Sequence, residues 1–209
     1  MKQSKTLRRW ELALLLGVAL AALLGVWLDG AQAALSDRVI RLHVLANSDS
    51  EADQALKLRV RDAVLAEAEE LFVPGAGRAE TEELLRAHLY DLAAAGVEVV
   101  GEAGYSYPVT ASLVHDYWFP TKTYTDFALP AGAYTALRIE IGAGGGQNWW
   151  CVVFPPLCTT AACDFQETAV SGGLGEEDLS LITEEDGGYV LRFRAVELWE
   201  GLRQWLGKH

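Results

Sequence analysis

The chain has 209 residues, 51% of them hydrophobic, and carries 17 Lys+Arg against 29 Asp+Glu for a formal charge of -12. So acidic a chain, with no basic stripe to neutralise phosphates, is not expected to bind nucleic acid. Its length suits one domain with its own hydrophobic core.

Lys2, Lys5, Arg8 and Arg9 precede an uncharged apolar run from Leu12 to Leu28, and Ala31-Gln32-Ala33 follows it. A basic flank, an apolar centre and small residues in that order predict an export signal over 1–33. The run is also just long enough for a spanning helix, so an uncleaved N-terminal membrane anchor is the alternative. Membrane contact is expected through this segment alone, and residues 34–209 should lie outside the cytoplasm. Without residues 1–33 the chain loses Lys2, Lys5, Arg8, Arg9, Glu11 and Asp29, which leaves 13 basic and 27 acidic residues and a charge of -14.

"DRVIRLHVLANSDS" alternates up to Leu45 and then turns polar, which predicts a strand over 39–45 and a turn. Ser48 with Glu51, and Ser50 with Asp53, match capping boxes. A helix is expected from about 50 to 73, with Leu56, Val60, Ala63 and Val64 on one face. A second helix is expected from about 79 to 95, carrying Leu85, His88, Leu89 and Leu92 and stopping at Gly96. After "VEVV" comes "YPVTASLVHDYWF", read as a strand with Pro108 at its start. "PTKTYTDFALPAGAY" reads as a crossing loop or an irregular hairpin. "AYTALRIEI" and "NWWCVVF", joined by "GAGGGQ", are expected to form an antiparallel hairpin. "SGGLGEEDLSLITEEDGG" reads as a solvated loop, "YVLRFRA" as a last strand, and "VELWEGLRQWL" as a short helix with Trp199 and Trp205 on its apolar side. The expected class is α+β: a single domain whose antiparallel or mixed sheet packs against two N-terminal amphipathic helices and a short C-terminal helix.

Cys151, Cys158 and Cys163 follow the export segment, where disulfides are permitted, and their odd number leaves at least one unpaired within the chain. Cys158–Cys163 and Cys151–Cys158 bridges are both open. The C-x6-C-x4-C spacing lacks a C-x-x-C pair, so no zinc is expected. A thiol enzyme would need Cys151 beside a histidine, such as His43, His88 or His115, with Asn148 orienting it. A cysteine inside a β-branched, aromatic run is more often a small buried hydrophobe. "GAGGGQ" lacks the Gly-Lys-Ser/Thr of a phosphate loop and opens no helix. "LANSDSEAD" lacks the glycine and the distant glutamate of a calcium loop, and helix capping accounts for its residues. No catalytic residue, metal or cofactor is expected. Trp149 and Trp150 are adjacent in a strand, so their rings should point to opposite faces of the sheet.

Three long motifs, "RLHVLANSDSEADQALKLRVRDAV", "YPVTASL" and "FPTKTYTDFALPAGAYTALRIEIGAGGGQNWWCVVFPPLC", resemble the stage II sporulation protein R family in sequence and order. The resemblance runs from Arg41 to Cys158, with core motifs over 39–158. It implies a protein exported from the forespore into the space between the two sporulation membranes. There it would activate a membrane-embedded aspartic protease of the mother cell, which removes the pro-sequence of the early mother-cell sigma factor. By motif position, partner contacts are expected at Asn47, Asp49, Trp118, Lys122, Asn148, Trp149 and Trp150, and the His115 to Tyr124 region is a further place for them. Thr125, and the uncharged "GAGGGQ" turn, depart from the family pattern. The competing readings are an extracytoplasmic thiol hydrolase or oxidoreductase built on Cys151, and a cell-envelope domain held by an uncleaved helix.

Overall fold

The computed structural model describes residues 9–73, 75–124, 127–157, 168–170, 172–175, 178–179 and 182–183. In chain order the elements are α1 (Arg9–Ser36), β1 (Ile40–Leu45), α2 (Glu51–Glu70), α3 (Arg78–Ala87), α4 (Leu89–Glu102), β2 (Val109–Phe119), β3 (Lys122–Thr123), β4 (Ala128–Leu129), β5 (Gly132–Ile141) and β6 (Asn148–Phe154). The expected last strand and C-terminal helix lie outside the described residues.

β1 is buried at all six positions because it is an inner strand of a four-stranded sheet of order β2-β5-β1-β6. It runs parallel to β5 and antiparallel to β6, and β2 pairs antiparallel with β5, so the sheet is mixed. One face carries Ile40, Leu42, Val44, Leu137, Ile139 and Ile141, which join Leu56, Val60 and Val64 of α2 with Leu85, Leu92 and Val100 in the main core. The domain is thus α+β, with amphipathic helices on one side of a mixed sheet. β3 and β4 form the irregular hairpin expected from "PTKTYTDFALPAGAY".

Three expectations are corrected. The second helix is two: His88 sits between α3 and α4 at φ -109°, ψ 19°. Its backbone N–H donates to Leu84 and Leu85, and its Nδ1–H donates to the Leu84 carbonyl at 2.8 Å, so the junction is closed by its own side chain. Gly96 does not stop the helix but lies inside α4, which runs on to Glu102 through "VEVV". A Cβ at Gly96 would meet Val109 Cγ1 at 2.9 Å and Val60 Cγ1 at 3.2 Å, so glycine lets α4 approach both α2 and β2. The stop is Gly104 at φ +81°, where Gly104 N–H donates to Gly101 and Tyr105 N–H to Val100, the paired bonds of a Schellman ending.

The second correction concerns β5 and β6, which do not pair: β1 lies between them. With strands ~4.8 Å apart, the connection must cross about 10 Å. A two-residue hairpin turn cannot do that, and residues 142–147 do. Third, parts of the acidic stretch after Cys163 are packed rather than solvated. Ala169, Leu174 and Ile182 are buried with Leu35, Val39, Phe127, Leu129 and Val152 in a second cluster, and Asp178 ion-pairs with Arg38.

In α1, Trp10, Leu12, Leu14, Leu15, Leu16, Val18, Leu20 and Leu23 are all exposed, whereas Leu35 at its far end is buried in the second cluster. Side chains at 21–22, 24–29 and 31–32 lie outside the described residues. Among the described residues no helix is long and apolar enough to cross a membrane.

Candidate partner-binding surface

The crossing of residues 142–147 over the end of β1 brings together the two stretches that stood out most in the sequence, "ANSDS" and "GAGGGQNWW". Gly146 N–H donates to the Ala46 carbonyl at 2.9 Å and Gly145 N–H to the Asn47 carbonyl at 3.3 Å. Asn47 Oδ1 accepts from Ala143 N–H at 3.0 Å, and Asp49 Oδ1 accepts from Gln147 N–H at 2.8 Å. The crossing therefore takes most of its polar ties from the loop between β1 and α2. Ala143, Gly145, Gln147, Asn148 and Asp49 are left exposed on top.

Beneath this surface lies a side chain that capping alone did not single out as central. Asp53 is buried, and its Oδ2 accepts from Asn47 Nδ2 at 2.9 Å and Ser48 Oγ at 2.5 Å. Ser50 does cap α2, accepting from Asp53 N–H at 3.1 Å, so only half of the expected box forms. The carboxylate that would complete it turns back to hold the turn instead. Lys57, also buried, donates to Gln54 Oε1 at 2.6 Å and to the Gln147 carbonyl at 3.0 Å, which fastens the crossing to α2. Burial lowers the Lys57 pKa, and the nearby Arg61 adds to this while Asp49 opposes it.

The bonds from Ser48 and then Asn47 hold the Asp53 carboxyl below its ordinary value of 3.8, outweighing burial. A depressed carboxyl contributes stability that is complete above the unfolded value and is lost as pH falls through the folded one. Acid titration of the wild type, followed by tryptophan fluorescence, should show this loss below about pH 4. Asp53→Asn should start less stable at neutral pH and show less of that loss; an unchanged acid profile would contradict the role given to Asp53.

The seven expected contact residues do not form one surface. Asn47, Asp49 and Asn148 gather at the crossing, whereas Trp118, paired with Ala133, and Lys122, paired with Leu129, lie towards the opposite end of the sheet. Trp118 is 45% exposed there. The rings of Trp149 and Trp150 do part to opposite faces: Trp149 packs on the main core under Arg61, whose Cζ is 4.5 Å from the ring centre, and Trp150 packs with Phe119, Tyr134 and Ala136. Both are half-buried by the chain itself.

His43 Nε2–H donates to Asn148 Oδ1 at 2.7 Å. Burial is the largest influence on His43 and lowers its pKa; Arg138 and Arg41 push the same way against the Asn148 bond, so the imidazole is neutral at neutral pH. Cys151 pairs with Leu42 in the sheet and joins the helix-side core, on the face opposite His43. It is also disulfide-bonded. The thiol reading therefore has neither a free thiolate nor a facing histidine. Cys158 and Cys163 lie outside the described residues. His115 serves structure elsewhere, bridging Glu82 at 3.3 Å and Thr135 Oγ1 at 3.2 Å.

The sequence model of the family "Stage II sporulation protein R" matches residues 36–164, well over half of the chain. The chain belongs to the stage II sporulation protein R family. Its role is accordingly in sporulation and endospore formation. The match runs through the interlocked loops and past Cys163. Among curated proteins, the stage II sporulation protein R of Bacillus subtilis (strain 168) is 40% identical over 124 residues, which are 59% of this chain and 55% of that protein. The chain thus aligns with little more than half the length of that relative. No solved structure matches.

Proposed function

We propose that this member of the stage II sporulation protein R family is an exported signal that binds and activates a membrane-embedded aspartic protease of the mother cell. Processing of the pro-form of the early mother-cell sigma factor follows from that activation. The chain acts as a ligand, and no catalytic residue or cofactor takes part. To drive processing it must bind the competent state of the protease more tightly than the resting state, because a ligand shifts an equilibrium only by its differential affinity.

One observation carries this reading: the crossing locks two separate family motifs into a single surface, with Asp49, Ala143, Gly145 and Asn148 exposed above a buried network. A rigid, already ordered surface loses little freedom on docking, which favours binding. The basic flank, apolar run and Ala31-Gln32-Ala33 of residues 1–33 support export across the forespore membrane, with the remaining domain in the intermembrane space.

Asp49→Asn tests the surface cleanly, because the amide keeps an acceptor for Gln147 N–H while losing the exposed charge. In a reconstituted two-membrane assay, sigma-factor processing should fall several-fold with the thermal midpoint within about 2 °C of wild type. Processing at the wild-type rate would remove Asp49 from the contact.

A further inference from the structure

The sheet face turned away from α2, α3 and α4 has a second site, which opens beside Asn148 at the edge of the crossing. Cross-strand pairing sets Arg138, His43 and Trp150 in one row, with Arg41 two residues along β1 from His43 on the same face. Arg41 is fully buried: its Cζ lies 4.1 Å from the centre of the Phe119 ring and 5.0 Å from that of Tyr134. Among the described residues its one side-chain hydrogen bond is from Nη2 to the neutral Tyr124 hydroxyl at 3.1 Å. Arg41 Nε and Nη1 have no partner, nor do Arg138 Nε, Trp150 Nε1 and His43 Nδ1. Of the seven buried side-chain atoms without a partner among the described residues, these five share one face, and four of them are N–H donors.

We propose that this face binds one carboxylate, held by Arg41 with help from Trp150 and Arg138. Donors left unmatched in a buried place cost free energy, and a buried cation without a counter-charge costs more, so an acceptor carrying negative charge fits both deficits. The charge count selects a monoanion. Arg138 is already paired with Glu140 at 2.9 Å, which leaves Arg41 as the uncompensated cation of this face among the described residues. A planar carboxylate suits the edge of a guanidinium whose faces lie against rings. Asn148 is exposed and Arg138, Tyr117 and Trp150 are only half-buried around fully buried Arg41 and His43, so the approach is from the Asn148 and Arg138 side. The carboxylate comes either from a free small acid or from an acidic side chain of another protein, and the chemistry is shared.

The test uses the full chain, labelled with nitrogen-15, in detergent. Sodium acetate is titrated against sodium chloride at matched ionic strength while the Arg41 Nε–H and Trp150 Nε1–H resonances are followed. A second arm replaces acetate by the blocked tripeptide acetyl-Gly-Glu-Gly-amide. Both resonances should move saturably with acetate, the tripeptide or both, and not with chloride, and saturation should raise the thermal midpoint by about 3 °C. A response to acetate alone assigns the free acid as the source, and a response to the tripeptide alone assigns the side chain. Arg41→Met should abolish the Trp150 response. Should that variant fail to fold, Arg138→Gln should weaken the response several-fold. Wild-type resonances that do not move, or that move equally with chloride, would overturn the proposal.

Discussion

Gly146→Ala should destabilise the domain by about 3 kcal/mol, while Gly145→Ala, one residue away, should cost almost nothing. A Cβ at Gly146 would stand 2.6 Å from the Ser48 carbonyl carbon and closer still to its oxygen, whereas one at Gly145 meets the Asn47 oxygen at an ordinary 3.5 Å. The obstacle at 146 is backbone, so no rotamer change relieves it. The crossing would have to lift, which would also weaken Gly146 N–H to Ala46, Gln147 N–H to Asp49 and Lys57 to the Gln147 carbonyl. By calorimetry the Gly146→Ala midpoint should fall by about 9 °C, and sigma-factor processing should fall with it because the surface is displaced. Equal midpoints for the two variants would show that the crossing does not pass as closely over Ser48 as described.

Cys151→Ala should be comparably severe, at about 2–5 kcal/mol. Cys151 is disulfide-bonded and only 4% exposed, in the strand that carries both tryptophans into the sheet. Losing the bridge frees the unfolded chain and also leaves a space in the helix-side core. Denaturant unfolding should place oxidised wild type above both the reduced wild type and Cys151→Ala. Without prior reduction, iodoacetamide should not label Cys151 by mass spectrometry. Ready labelling, together with loss of processing but no loss of stability on substitution, would revive thiol chemistry.

The strand at 39–45, the helix from about 50 and the parting of the two tryptophan rings were legible because alternation, helical spacing and strand parity are local patterns. What the residues did not disclose was which strands are neighbours. "GAGGGQ" between two apolar strands carries the same local signal whether it makes a hairpin or steps over a third strand; its run of glycines suits the second because a backbone passes beneath. Gly96 misled for a related reason: a glycine after leucines reads as a helix stop, but here it admits Val60 and Val109. Asp53 was visible as a capping residue, while its carboxylate's turn towards Asn47 and Ser48 depends on tertiary placement. Lys122 shares a motif with the crossing strands, and Trp118 directly precedes that motif, yet both sit towards the other end of the sheet, because motif order along a chain carries no information about which end a strand presents.

Under the proposed function, the crossing surface docks on the protease. Ala143→Arg examines it most directly, since Ala143 is exposed and uses only its backbone N–H, so a long charged side chain there blocks docking without touching the network below. Calorimetric titration of the full chain against the protease's extracytoplasmic domain should give saturable binding for wild type. For Ala143→Arg, folded at an unchanged midpoint, binding should be at least about tenfold weaker, or ~1.4 kcal/mol. Wild-type affinity in that variant would contradict the account.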